Sequence, residues 1–138
     1  MKAFAFHAFL MLMYHISFAQ QHSFTKVWET DSVFKVPESV LADVKGGVLY
    51  VSNIDGKDPW GRDGKGSIGK LGLDGKIISV EWVRGLHSPK GMGLHKGNLY
   101  VADLDEVVVI DVSKSEITKK IKVDRKSTRL NTVTATSR

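Results

Sequence analysis

Two stretches, VLYVSNID from Val48 to Asp55 and NLYVADLD from Asn98 to Asp105, decide the fold. Each is a short β-branched and aromatic run that ends in an aspartate, the composition of a strand running into a loop. Each is preceded by a glycine turn, Lys45-Gly46-Gly47 in the first case and Lys96-Gly97 in the second. Before each turn stands a segment opened by proline, Pro37-Glu38-Ser39-Val40 and Pro89-Lys90-Gly91-Met92. The prolines are 52 residues apart and the tyrosines 50, so the second copy has lost one residue pair in its turn.

Outward from these runs the copies continue in parallel. A third strand is expected at Ser67–Leu73 and at Glu106–Val112, then a polar turn (Asp74-Gly75-Lys76; Ser113-Lys114-Ser115), then a fourth strand at Ile77–Val83 and at Ile117–Val123. All 13 glycines fall between Gly46 and Gly97, and no window of 12 or more residues shows a helical period. The chain reads as all-β. Four antiparallel strands repeated behind a proline make the pattern of a β-propeller blade, with blades at about 37–83 and 89–123. The first copy is longer because Gly56–Gly66 is inserted between its second and third strands. A blade buries a sheet face against each neighbour and propellers close with about 4–8 blades, so two blades leave an apolar face bare at each end. Phe24–Val36, with Val27, Trp28, Val33 and Phe34, resembles a further strand preceding the first blade. The competing architecture is a small open β-sandwich of eight or nine strands.

The charge is unevenly placed. The chain carries 20 Lys and Arg against 15 Asp and Glu, a formal net charge of +5. Residues 20–123 hold 15 cations and 14 acids, so the excess sits at the termini and gives no basis for a nucleic-acid partner. Residues 1–19, MKAFAFHAFLMLMYHISFA, have one lysine, an apolar stretch and small residues before the expected cut, the pattern of a cleaved secretory signal. The stretch is too short to serve as a stable membrane anchor. A secreted or periplasmic location follows as an expectation. Residues 124–138, DRKSTRLNTVTATSR, shift abruptly to Thr, Ser and Arg, and Asp124–Asn131 resembles a translated sequencing adapter. These fifteen residues are therefore expected to be non-native, with the natural product continuing past Val123. The absence of cysteine excludes disulfides and thiolate metal sites.

The runs PESV, GGVLYVSNID, GSIGKLGLDGKI and SPKGMGLHKGNLYVADLD, between about Val33 and Val123, resemble the gluconolactonase/regucalcin (senescence marker protein) family of six-bladed propellers and the related NHL-type propellers. The resemblance implies a central channel in which a divalent cation, usually calcium, is held by carboxylate and amide oxygens from several blades. In the lactonases that metal polarises the lactone carbonyl while a carboxylate assists attack by water. By this resemblance Glu38 matches the acidic metal ligand at the start of the first blade. The second blade departs from the pattern: family members with a metal site often carry Asn or Asp after the proline, whereas Lys90 stands here. A protonated lysine has no lone pair and cannot ligate a cation. Lys90 is left to pair with Glu38 or to bind an anionic ligand, the alternative being that both are solvated loop residues at the channel mouth.

The insertion contributes a second candidate. The three acids in and beside it, Asp55, Asp58 and Asp63, lack EF-hand spacing. Trp60, in a glycine-rich polar surface loop, is the candidate for stacking on a sugar-like ligand, the alternative being plain packing within the loop. Gly64-Lys65-Gly66-Ser67 runs into a strand and so offers no phosphate loop. His87, Ser88, Asp103, Asp105 and Asp111 show no nucleophile elbow, and Asp103 reads as a turn-stabilising acceptor. No catalytic residue is assigned. The expected parent protein binds a small polar molecule such as a sugar lactone, with calcium-dependent lactone hydrolysis as its activity. The alternative is a noncatalytic NHL-like binding or scaffold propeller. The 138-residue chain itself is expected to be inactive.

Overall fold

The computed structural model of the chain describes residues 23–123. The signal peptide expected at 1–19 and the non-native tail expected at 124–138 lie outside the described residues. The fold is all-β: eight strands form two four-stranded antiparallel sheets, each a simple meander, with no helix among the described residues. The first sheet contains β1 (Pro37–Asp43), β2 (Val48–Asn53), β3 (Gly66–Gly72) and β4 (Ile77–Leu86). The second contains β5 (Pro89–His95), β6 (Asn98–Asp103), β7 (Glu106–Asp111) and β8 (Glu116–Lys122). Strand order within each sheet follows the chain, the form of a propeller blade.

The turns explain why the strands close where they do. Lys96 and Gly97 both have positive φ, 46° and 75°, the pair of conformations that a two-residue type I′ hairpin demands. At the β1–β2 and β7–β8 reversals, aspartates accept from turn amides: Gly46 N–H donates to Asp43 Oδ1 at 2.8 Å, and Ser113 N–H to Asp111 Oδ1 at 2.9 Å. Such Asx turns supply the backbone acceptor that a tight reversal leaves missing.

Residue alternation assigns the faces. In the first sheet Tyr50, Ile68 and Val83 point one way, and in the second Leu99, Val101, Val108 and Ile110 point back at them. Together with Leu86 these residues form one core between the sheets. Tyr50 is fully buried there and its ring meets Trp82 at 5.2 Å between centroids, an inclined aromatic contact. Burial pushes the Tyr50 hydroxyl above its ordinary pKa, with the nearby Asp43 charge adding to the shift.

The strand expected within Phe24–Val36 is not formed. Residues 23–36 instead run as irregular, mostly exposed chain that meets the first sheet through Trp28 and Phe34. Phe34 lies where an added Cβ on Gly69 would come, and Trp28 covers Gly75 in the same manner. The cause is local: Val36 takes φ 53°, and with Pro37 next to it the backbone cannot stay extended into β1. The carbonyls of Lys35 and Val36 accept from Asp55 and Ile54 N–H at 3.2 and 3.1 Å, which ties the segment to the chain leaving β2.

Candidate functional site

The proline that opens each blade is followed by a β-bulge. Pro37 pairs with Asn53 and Ser39 with Ser52, which leaves Glu38 as the extra residue of β1. Pro89 pairs with Asp103 and Met92 with Val101, so Lys90 and Gly91 together oppose the single Ala102. The repeat therefore includes the irregularity, and Glu38 and Lys90 occupy the same bulge one blade apart. A bulge breaks the ladder and re-aims a side chain away from the alternation of the strand.

The insertion between β2 and β3 folds over the start of the second blade. Asp58 organises its tip, with Oδ1 accepting from Trp60 N–H at 2.9 Å and its carbonyl accepting from Gly61 N–H at 3.0 Å. Three further contacts fasten the loop to the neighbouring blade. The buried Ser88 donates its hydroxyl to Pro59 O at 2.5 Å. Arg62 forms an ion pair with Asp105, and Gly64 N–H donates to His87 Nδ1 at 3.2 Å. Gly66 makes the approach sterically feasible, since a Cβ there would stand 2.5 Å from Pro89 Cδ and 2.8 Å from His87 O.

The linker that receives the loop is itself held from below. Asp103 is fully buried, and its two carboxylate oxygens accept from His87 N–H at 2.8 Å and Ser88 N–H at 2.6 Å. Asp103 is thus an acceptor at a strand end, as its sequence position suggested, but its donors lie in the link between sheets and not in its own turn. A charge accepting two amides makes a strong, directional anchor.

These contacts bring together two residues that the sequence singled out separately. Lys90 Nζ stands over the Trp60 ring, 5.5 Å from its centroid, a cation–π contact. Trp60 is 72% exposed although the residues around it are pinned, so it presents a large flat apolar surface to solvent. Glu38 is exposed and does not join them: no ion pair between Glu38 and Lys90 forms. Among the described residues no three His, Asp or Glu side chains converge as a metal site would require. Glu38 contributes one carboxylate, whereas calcium takes six to eight oxygens, so the described residues alone do not make a calcium shell.

A cleft of about 510 Å³ opens beside the loop, between Lys35, Val36, Asp55, Asp58, Asp63 and Lys65. Its charges are largely matched within it, Lys35 to Asp55 at 3.3 Å and Lys65 to Asp63 at 3.6 Å. The amide of Lys65 donates to the Asp63 carboxyl and holds it below the ordinary aspartate range. Neither Trp60 nor Lys90 lines this cleft.

The roles of Ser88, Arg62 and His87 in seating the loop were not visible in the sequence, because each partner lies more than twenty residues away. No protein-family model and no curated protein matches the chain. Among solved structures it is similar to a chain in the crystal structure of a nidogen/laminin complex, at 17% identity and a TM-score of 0.31, over 70% of this chain and 50% of that one. The chain spans half the length of the solved chain it matches, and a likeness this distant carries no argument.

Proposed function

We propose that the chain is part of a secreted or periplasmic β-propeller of the gluconolactonase or NHL type that binds a small polar ring compound, such as a sugar lactone, at the Trp60–Lys90 pair. The observation that carries this reading is an exposed indole on a loop fastened to the adjacent blade by the Pro59 carbonyl, the Arg62 side chain and the Gly64 amide. A rigid, exposed aromatic loses little conformational entropy when a ligand stacks on it. The noncatalytic form of the reading is the better supported one, because Lys90 occupies the place where a metal ligand is expected and contacts Trp60 instead. Calcium-dependent lactone hydrolysis is a second reading, favoured by Glu38, which is exposed on its bulge and supplies the hard oxygen donor that calcium prefers. It needs further oxygen donors from outside the described residues.

Tryptophan fluorescence of the full chain, titrated with freshly dissolved gluconolactone and with methyl glucoside, tests the binding reading. A saturable change is expected, and it should be absent in Trp60→Phe while Trp28 and Trp82 continue to emit. Identical titrations for the two proteins would remove Trp60 from any site.

A further inference from the structure

We infer that the Trp60–Lys90 pair selects a ring compound bearing a carboxylate over its neutral counterpart; this rests on the binding reading above and names the ligand class for the same site. Lys90 is half-buried at its bulge, and no carboxylate of the described residues pairs with it. Three charged side chains of the loop are already engaged. Arg62 is neutralised by Asp105, Lys65 by Asp63, and the Asp58 carboxylate is turned into its own loop, where it accepts from Trp60 N–H. Lys90 is the cation in contact with the indole, and no carboxylate among the described residues meets its three donors.

The chemistry of an acceptor that fits is narrow. A lone ammonium, with no helix N-terminus among the described residues to add amide donors, matches a single carboxylate better than a phosphate, which calls for several donors at once. The indole supplies the rest of the contact through its exposed surface, against which the flat side of a sugar ring or an aromatic ring can lie. A ligand with one carboxylate attached directly to such a ring places its charge near Lys90 while the ring covers Trp60. Sugar acids and aromatic acids share this form.

The test is a binding series on the full chain in low-salt buffer, using glucuronate, methyl glucoside, benzoate and inorganic sulfate as probes. Glucuronate should bind about tenfold more tightly than methyl glucoside, the increment of one charge-assisted hydrogen bond. That preference should shrink toward unity in Lys90→Gln and weaken at 0.5 M salt, roughly the concentration at which screening length falls below a side chain's reach. Benzoate binding as well as glucuronate assigns the site to aromatic acids, and glucuronate alone assigns it to sugar acids; either outcome supports the inference. Equal affinity for glucuronate and methyl glucoside overturns the inference and leaves the binding reading standing. A preference that survives Lys90→Gln in a protein with unchanged circular dichroism, or sulfate binding as tightly as glucuronate, overturns it as well. If no probe binds, both readings fall together.

Discussion

Tyr50 and Tyr100 hold the same place in their sheets, 50 residues apart, yet Tyr50 is fully buried and Tyr100 is 36% exposed. The ladders show why. Each tyrosine lies on the face that looks forward along the chain, and only the first sheet has a described sheet in front of it. Around Tyr100 that forward face continues through Ala102, Val107, Val109 and Ile121, an apolar surface with no described partner. The same residue in the same strand position therefore contributes in proportion to what is stacked against it, which is the behaviour expected of repeats that bury their faces only on their neighbours. Replacing Tyr50 by Ala should cost about 3–5 kcal/mol, as other large aromatic truncations in cores do. Tyr100→Ala should cost about 1 kcal/mol or less, being a partly exposed position. Urea unfolding of both variants checks this, and equal losses would show that the two sheets do not differ in the way described.

The second contrast is between Asn53 and Asp103, which end β2 and β6 at matching positions. Asp103 receives two amides from the link before its blade. Asn53 is equally buried, but its amide group makes only a long 3.5 Å contact to Ser67 and its Oδ1 has no hydrogen-bond partner. The link before its blade is fastened by its carbonyls instead, at Lys35 and Val36. Asp103→Ala leaves the amides of His87 and Ser88 without their acceptor and should cost about 2–4 kcal/mol, the range for stranding buried polar groups. Asn53→Ala should cost about 1 kcal/mol or less, because its oxygen is already unpartnered. The first substitution should also loosen the Trp60 loop, since Ser88 and His87 hold it; a fall in the fluorescence anisotropy of Trp60 in a Trp28→Phe, Trp82→Phe background reads this out. An anisotropy unchanged by Asp103→Ala would separate the anchor from the loop.

How much of this was legible in the sequence follows from the range of each interaction. The strands were legible because alternation and turn chemistry are local: the Lys96-Gly97 reversal and the Asp-Gly turn at Asp74 announce themselves in a few residues. The repeat carried the blade order and the matching positions of Glu38 and Lys90, whereas the bulge after each proline is visible only in the strand register. Phe24–Val36 misled because its apolar residues match strand composition while the backbone at Val36 turns away, and composition does not report φ. For the candidate site, Lys90 stood out as a departure from a family pattern and Trp60 as an exposed aromatic in a polar loop. Their meeting was not legible, because it depends on Ser88, Arg62 and His87 reaching across 23 to 43 residues of chain.

The smallest expected difference lies at the β3–β4 and β7–β8 reversals, where Asp74 and Asp111 play parallel parts with different partners. The side chain and then the backbone of Lys76 hold the Asp74 carboxyl below the ordinary aspartate range; at Asp111 the Ser113 hydroxyl does most of this and the Lys114 amide adds to it. A carboxylate whose folded pKa is depressed binds fewer protons than its unfolded counterpart at acid pH, so it favours the folded state above the unfolded pKa and loses that contribution as pH falls through the folded one. Both groups are exposed to solvent, and screening keeps the contributions small. The acid limb of the stability curve should be slightly flatter in Asp74→Asn and in Asp111→Asn than in the parent, with the curves meeting at the lowest pH. The two replacements differ in what they leave behind. Asp74 is supported by a lysine ammonium, whose attraction weakens in salt, whereas Asp111 relies first on a neutral hydroxyl, whose bond does not. Raising the ionic strength should therefore diminish the acid-limb effect of Asp74→Asn more than that of Asp111→Asn. Urea midpoints between pH 7 and pH 2.5 at two salt concentrations measure it, and equal salt sensitivity would mean that the distant positive charges of the chain, not the turn hydrogen bonds, set both carboxyls.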